Sequence, residues 1–230
     1  EIDLSFNPLT EESVTNVLNE PKTVRMLNVA GTGITTVPVL ETPFLTHLNL
    51  SHNKIIDLNE DNLGKPSLLS LDVSNNEIPN LSFGMTSAWP KLKNLNYLDI
   101  SNNPIKFIIK GDFKYLNDLQ VLKMSDLKKC TKVESGAFSN LKKVTRLEMY
   151  GYPKLAFLDI KGILMNFAML ESVQLEFKEA LIGDHLTPAY SPRLREIAVR
   201  GSNNVKNIAI GAFVGLSSQD VDIKIENTDI

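Results

Sequence analysis

The chain has 230 residues, of which 43% are hydrophobic and 22% charged, and its formal net charge is −3. This composition is typical of a soluble globular protein, and no basic run or acidic tail indicates nucleic-acid binding or a disordered arm. No apolar stretch approaches the roughly 20 residues that a membrane-spanning helix needs. The first residues already have the pattern of a strand, so we expect no leader peptide within the sequence.

One pattern of aliphatic residues, L-x-x-L-x-L-x-x-N-x-L, recurs along the chain. It is complete at residues 45–55, 68–78 and 95–105, and looser copies begin at Val24, Leu119, Val144, Leu170 and Leu194. Partial copies lie at the two ends, and the copies are spaced 21 to 27 residues apart. This period predicts one solenoid of about ten repeats over residues 1–230, with each repeat packing only against its neighbours.

Within each repeat, the alternation predicts a strand whose aliphatic residues face the core and whose intervening residues face solvent. Stacked repeats then form a parallel sheet on the concave side. An asparagine ends the strand in four repeats, at Asn7, Asn53, Asn76 and Asn103. We expect its amide to bond backbone groups of its own repeat and of the next one.

The other half of each repeat predicts short turns or 3-10 or helical segments on the convex side. Copies of a Gly-Ala-Phe spacing occur at Gly111-Asp112-Phe113, Gly136-Ala137-Phe138 and Gly211-Ala212-Phe213, with a looser copy at Gly162-Ile163-Leu164. The phenylalanines are interpreted as core residues. Residues 10–24 are interpreted as the long convex part of a first repeat, with a helix that has Thr10 as its N-cap, Glu11 and Glu12 at its positive end and Pro21 after it.

The middle repeats depart from the pattern. Leu127 and Tyr152 stand where asparagine is expected, and Cys130, the single cysteine, follows the first of them. No internal disulfide is possible, and Cys130 is predicted to be a small buried residue.

In these motifs the chain resembles the leucine-rich repeat family, and its Gly-Ala-Phe spacing is most similar to the animal extracellular branch. That branch includes Toll-type receptors, chaoptin-like adhesion proteins and Slit-like ligands. The resemblance implies an α/β solenoid, a leucine-rich repeat horseshoe. It also implies cysteine-rich caps, which a chain with one cysteine lacks. The ends are therefore covered by caps outside this sequence, by divergent repeats or by another chain.

The concave face is the candidate surface for a protein partner, since aromatic and arginine side chains anchor interfaces most often. Tyr97, Val121 and Tyr150 are expected to form an apolar patch, to which Arg146, Arg195 and Arg200 add positive charge. Asp72 and Asp99 are interpreted as residues that keep the sheet soluble.

Chemical alternatives have weaker support. His47, Ser70 and Asp72 could be neighbours, but no glycine-rich elbow or oxyanion donor accompanies them. No set of three or four convergent metal ligands is evident, and neither a metal nor a cofactor is expected. Asn80-Leu81-Ser82 is a candidate N-glycosylation site.

We therefore expect a non-enzymatic binding module. Our first hypothesis is the partner-binding ectodomain of a secreted or cell-surface receptor or adhesion protein, with innate immune recognition among its compatible roles. The alternative is a cytoplasmic scaffold or inhibitor that holds a protein on the same concave face. Neither hypothesis includes nucleic-acid binding or membrane insertion of this segment.

Overall fold

The computed structural model describes residues 1–18, 23–58, 63, 68–81, 91–186, 191–200, 205–214, 216 and 220–226. The strands are numbered in chain order: β1 (Ile2–Asp3), β2 (Met26–Asn28), β3 (His47–Asn49), β4 (Ser70–Asp72), β5 (Tyr97–Asp99), β6 (Phe107–Ile108), β7 (Val121–Lys123), β8 (Lys132–Val133), β9 (Arg146–Met149), β10 (Ser172–Leu175), β11 (Leu181–Ile182), β12 (Glu196–Arg200), β13 (Asn207–Ile208) and β14 (Asp222–Glu226).

Ten of these strands form one parallel sheet in the order β1-β2-β3-β4-β5-β7-β9-β10-β12-β14. The register aligns equivalent aliphatic residues, so that Leu48 pairs with Leu71 and Leu71 with Leu98. These leucines are at most 2% exposed and belong to the hydrophobic core. The predicted horseshoe with a parallel sheet along its concave side is confirmed.

The convex side is built from short elements, as the spacing of the glycines and phenylalanines predicts. Two small parallel sheets, β6-β8 and β11-β13, join neighbouring repeats there. Helix α1 spans Glu11–Leu18 and helix α2 spans Ile160–Leu164, while 3-10 turns cover Ser135–Phe138 and Asp184–Leu186.

Three phenylalanines of successive repeats stack beneath this convex layer. The ring centroids of Phe113 and Phe138 lie 5.8 Å apart, and those of Phe138 and Phe167 lie 5.7 Å apart. All three side chains are fully buried. Their prediction as core residues is confirmed, and their edge-to-face and stacked contacts stabilise repeat-to-repeat packing beyond the burial of area.

The asparagines bridge repeats, but in the opposite direction to the one expected. The side-chain amide of Asn76 donates to Val73 O of its own repeat (3.1 Å) and to Leu50 O of the preceding one (2.9 Å). Its Oδ1 accepts from Ile55 N, also in the preceding repeat, at 3.0 Å. Asn53 and Asn103 bond in the same way. The expectation of bonds to the next repeat was wrong.

The chain turns immediately before the asparagine position through a residue with positive φ. His52, Asn75 and Asn102 have φ between 53° and 57°, whereas Gly151 has φ 79°. A Cβ on Gly151 would lie 3.0 Å from the Cα and N atoms of Asp126 in the preceding repeat. Glycine is therefore required at this turn both by the backbone angle and by the close approach of neighbouring main chain.

Tyr152 takes over the asparagine's role in the middle of the array. Its hydroxyl donates to Met124 O, the carbonyl equivalent to the one that Asn76 bonds in the preceding repeat. Tyr152 is fully buried, and this burial, with a smaller contribution from the nearby charges, raises its phenol pKa well above the usual value. The aromatic ring fills the space of the asparagine and the hydroxyl supplies the same donor.

A buried ion pair follows in the next repeat, where Lys178 occupies the asparagine position. Its ammonium lies 2.5 Å from Glu176 Oε1, and the two side chains are only 8% and 9% exposed. Lys178 also donates to Tyr152 O at 2.6 Å, and Glu176 Oε2 accepts from Tyr152 N at 2.7 Å. This cluster bonds the turn of the preceding repeat, as asparagine does elsewhere.

The helix predicted between Thr10 and Pro21 spans Glu11–Leu18 in the described residues. It begins after Thr10, whose hydroxyl accepts from Ser13 N at 3.1 Å and so confirms the predicted N-cap. Residues 19–22 lie outside the described part of the chain, and Val24 is a buried residue ahead of β2. Glu11 bonds Thr35 N and Thr36 N of the neighbouring repeat, at 2.7 and 3.2 Å.

Cys130 is fully buried, as predicted for a small residue at a turn. Its thiol lies 3.4 Å from Lys132 O, and burial raises its pKa. A buried thiol of this kind is a packing element and gives no information about the compartment of the protein.

Candidate functional site

The concave face is organised into two columns of side chains. The first column contains one residue from each strand of the sheet except β1, and the parallel register places these nine residues side by side. Its members are Met26, His47, Ser70, Tyr97, Val121, Arg146, Ser172, Glu196 and Asp222. The second column lies two residues further along each strand. Its members are Asp3, Asn28, Asn49, Asp72, Asp99, Lys123, Glu148, Gln174, Ala198 and Lys224.

Three of the residues that we selected from the sequence are consecutive in the first column. Tyr97 pairs with Val121, and Val121 pairs with Arg146, on neighbouring strands about 4.8 Å apart. Tyr97 and Val121 are half-buried, and the Arg146 side chain is 45% exposed. The register thus forms a continuous strip of one aromatic, one aliphatic and one cationic side chain.

The charged groups beside this strip are paired with one another. Both Arg146 Nε and Arg146 Nη2 lie 2.8 Å from Glu148 Oε1, and Lys123 Nζ lies 3.6 Å from the same oxygen. Lys123 also stands over the Tyr97 ring, 5.9 Å from its centroid. A partner that binds here meets an electrostatically balanced, prearranged surface.

Tyr150, Arg195 and Arg200 lie apart from the strip. Tyr150 follows the end of β9, where the Arg200 guanidinium stands 5.8 Å from its ring centroid and also lies 3.1 Å from Glu226 Oε2. Arg195 precedes β12, so Glu196 and not Arg195 is in register with Ser172. The structure therefore places Tyr97 beside Val121, and Tyr150 beside Arg200. Lys123 lies on the same strand as Val121, and Glu148 lies on β9, which Tyr150 follows.

Several residues expected to face solvent on the concave side are buried. Glu148 and Gln174 are 8% exposed, and Ala198 is fully buried. Ser51, Ser74, Ser125 and Glu176, just beyond the strands, are also buried. The prediction was wrong for these positions. Glu148, for example, lies 2.8 Å from the longer side chain of Arg146, which covers part of it.

The N-terminal half of the concave face contains a groove of about 310 Å³. It extends over β2 to β5 and is lined by Glu1, Met26, Asn28, His47, Asn49, Ser70, Asp72 and Tyr97. On β1 to β5, the two columns contain the carboxylates of Asp3, Asp72 and Asp99 and no lysine or arginine. Glu1, which lines the groove, adds a further carboxylate. This half of the face is acidic.

Asp72 and Asp99 are the functional candidates that sequence reasoning assigned to solubility. They pair in register on β4 and β5, and no lysine or arginine of the described chain lies within 4.0 Å of either carboxylate. Burial chiefly raises the pKa of Asp99 and the charge of Asp72 raises it further, while hydrogen bonds to Ser101 and the charge of Lys123, in register on β7, partly oppose this shift. Burial and the nearby carboxylates likewise raise the pKa of Tyr97. The columns of these five consecutive strands contain no lysine or arginine, a feature that can be read from the sequence.

The residues considered for catalysis and metal binding do not assemble into a site. His47 and Ser70 are opposite each other, but His47 Nδ1 lies 2.9 Å from Thr46 Oγ1, and no hydrogen bond joins His47 to Ser70 or Asp72. In the described ranges, no three histidine, cysteine, aspartate or glutamate side chains are arranged to hold a metal ion. None of the helices described is long and apolar enough to cross a membrane.

The candidate glycosylation site lies after β4. Asn80 is half-buried and is followed by the buried Leu81, while Ser82 lies outside the described residues. Whether it carries a glycan stays a prediction.

Comparisons with known proteins identify the same repeat in the sequence. Two sequence profiles of leucine rich repeats match residues 43–57 and 94–116. Tsukushi from Gallus gallus is 24% identical over 224 residues, which is 86% of this chain and 60% of that protein. Toll-like receptor 4 from Bos taurus is 38% identical over 81 residues, or 35% of this chain and 9% of the receptor. Chaoptin from Tribolium castaneum is 25% identical over 90% of this chain and 26% of its own length.

Solved structures share the fold. The Toll–Spatzle complex of Drosophila contains a chain that matches with a TM-score of 0.69 at 15% identity, covering 99% of this chain and 36% of that one. Internalin C2 from Listeria monocytogenes matches with a TM-score of 0.65 at 18% identity, over 88% of this chain and 80% of its own. By sequence, the chain spans less than two thirds of the length of Tsukushi, Toll-like receptor 4 and chaoptin.

Proposed function

We propose, from the premise that the chain is a leucine-rich repeat protein, that it binds a protein partner on its concave face as part of a secreted or cell-surface receptor or adhesion protein. The observation that carries this proposal is the half-exposed strip of Tyr97, Val121 and Arg146. A parallel register fixes these side chains in one column, so that binding orders few groups on this side. An aromatic residue and an arginine are the residue types that most often anchor interfaces.

The likeness to proteins named as receptors supports the surface assignment and makes innate immune recognition a compatible role. Cys130 packs at a turn and so gives no support to a cytoplasmic scaffold. No further observation favours that scaffold. Among the described residues of the concave face, His47, Ser70 and Asp72 are not joined by hydrogen bonds into a catalytic group.

A photo-cross-linking amino acid placed at Val121 tests the proposal. We expect it to capture a surface or secreted protein that the same amino acid at the exposed convex residue Lys114 does not capture, with mass spectrometry identifying the product. The purified partner should then lose affinity for a variant that carries Tyr97→Glu, Arg146→Glu and Tyr150→Ala. Equal capture from both positions, or unchanged affinity in a variant with native circular dichroism, would contradict the proposal.

A further inference from the structure

The two halves of the concave face differ in how their charges are balanced. In β7 to β14, Lys123, Arg146 and Lys224 each pair with a glutamate of the two columns, at distances of 2.8 to 3.6 Å. In β1 to β5, Asp72 lines the groove and pairs in register with Asp99, and no ion pair within 4.0 Å joins either carboxylate to a cation of the described residues. Lys123, in register with Asp99 on β7, lies 3.6 Å from Glu148 Oε1. Like charges opposite each other on neighbouring strands are destabilising, so this half of the face lacks the balance that the other half has.

The local fold does not require the negative charges. Asp72 Oδ1 accepts from Ser74 N and Asp99 Oδ1 accepts from Ser101 N, both at 2.9 Å. Asn49 makes the same bond to Ser51 N at 2.9 Å, and Asn28 makes it to Ala30 N at 3.1 Å. An amide oxygen is therefore sufficient for this turn, and the charge of the two aspartates needs another explanation.

Apolar surface adjoins the two carboxylates. The Tyr97 ring is half-buried and precedes Asp99 by two residues, so it projects from the same face. Met26, 42% exposed, lines the opposite end of the groove. Lys123 already stands over the Tyr97 ring within the chain, which shows that this ring accommodates an ammonium group beside it.

We propose that the N-terminal half of the concave face binds a lysine- or arginine-bearing segment of the protein partner, with one cationic side chain between Asp72 and Asp99 and its aliphatic stem against Tyr97. This proposal rests on the proposed function, because it assigns the chemistry of the partner at the same face. Two carboxylates without a third ligand do not make a metal site, so a cationic peptide fits the groove better than a divalent ion.

A short synthetic peptide of alternating lysine and glycine is the probe, with calcium chloride alone as the second titrant. Nuclear magnetic resonance reports on the amide protons of Ser74 and Ser101, which bond the two carboxylates. We expect the peptide to shift these amides more than that of Ser51, which bonds the neutral Asn49. Uniform shifts over the surface, or equal shifts with calcium alone, would overturn the proposal.

A charge-matched pair of variants completes the test. Asp72→Asn with Asp99→Asn should weaken peptide binding roughly tenfold at low salt, because both turns keep their acceptor while the charge is lost. Glu12→Gln with Glu41→Gln removes the same charge from exposed residues outside the columns and should change the affinity less than about twofold. Equal losses in the two variants would refute a specific groove.

The same variants separate this proposal from the proposed function. If the cross-linked partner loses affinity for the Tyr97, Arg146 and Tyr150 variant but not for the Asp72 and Asp99 variant, the concave face is the interface and the cationic segment is refuted. If the peptide binds the groove but the partner binds both variants with unchanged affinity, the proposed interface is wrong, and only the binding of cationic peptide by the groove is supported.

Discussion

The turns after the concave strands are built with different chemistry in the two halves of the array. In the repeats that contain Asn53, Asn76 and Asn103, one neutral amide bonds two repeats at once. Further along, Tyr152 donates to the equivalent carbonyl, Met124 O, whereas Glu176 and Lys178 bond the N and O atoms of Tyr152, and Leu127 at the same position has no donor. The comparison teaches that the turns of neighbouring repeats can be bonded through different residues and different backbone atoms.

Replacing an asparagine and replacing one residue of the buried ion pair should destabilise the protein for different reasons. An asparagine leaves neutral backbone groups unsatisfied when it is removed, whereas one half of an ion pair leaves an uncompensated charge in the core. Because each repeat contacts only its neighbours, we expect the damage to stay local and to be visible by hydrogen exchange.

The largest effect is expected for Lys178→Met, which leaves Glu176 charged and buried. We predict a loss of about 4 kcal/mol in the free energy of unfolding, measured by urea denaturation. Adding Glu176→Gln should recover much of this loss, since glutamine still accepts from Tyr152 N. Lys143→Met breaks an exposed pair with Asp118 and should cost less than about 1 kcal/mol. Similar losses for the two lysines would contradict the buried charge as the cause.

Asn76→Ala should cost about 2.5 kcal/mol, because Ile55 N loses its acceptor. Leu50 O and Val73 O each lose one donor but keep another, from Asn53 and Asn103 respectively. Asn7→Ala is the matched control. Asn7 is exposed and bonds only Leu4 O and Ser5 O of its own repeat, so water can replace it at a cost of about 0.5 kcal/mol. Thermal and urea unfolding of both variants measure the difference, and equal costs would refute the bridging role.

Tyr152→Phe should cost about 2 kcal/mol, since the ring still fills the core while Met124 O loses its donor. The faster hydrogen exchange that follows should be confined to β7 and β9 and their turns. Exchange that increases over the whole sheet would show that the array unfolds as one unit and not repeat by repeat.

The smallest effect concerns Glu11, whose hydrogen bonds to the backbone of Thr35 and Thr36 lower its pKa from 4.5 to about 2. A lowered folded-state pKa stabilises the protein above the unfolded-state value, and this contribution is lost as the pH falls from about 5 through 2. Glu11→Gln should therefore be less stable than the native chain at pH 6 and approach it near pH 2. A difference that is constant with pH would exclude the charge as the cause.

The periodic features of the fold could be read from the sequence because they depend on spacing alone. Alternating aliphatics located the strands, and three-residue spacings placed Phe113 and Phe138 in the core. The direction of the asparagine bonds could not be read, because it depends on the offset between stacked repeats. The hydroxyl of Tyr152 reaches an asparagine's acceptor only in this particular packing, and its sequence position carries no sign of that contact.

The candidate site was predictable in part. The register that aligns Tyr97, Val121 and Arg146 follows from the repeat, whereas the pairing of Arg146 with Glu148 depends on side-chain conformation. Glu148 and Gln174 are buried although the two-residue alternation predicts exposure, because burial also depends on the length and conformation of neighbouring side chains. The roles of the site residues stay predictions.

The backward reach of each asparagine gives the array a polarity. The turn of one repeat is completed by hydrogen bonds from the repeat that is synthesised after it. A nascent chain leaving the ribosome therefore has its most recent turn only partly hydrogen-bonded until the following repeat emerges. Truncating the chain after β4 would thus remove Asn103 Oδ1, the acceptor of the hydrogen bond from Ile78 N. Removing β1 would leave the corresponding hydrogen bonds of the later repeats intact. Folding of such a protein should lag behind its synthesis by one repeat.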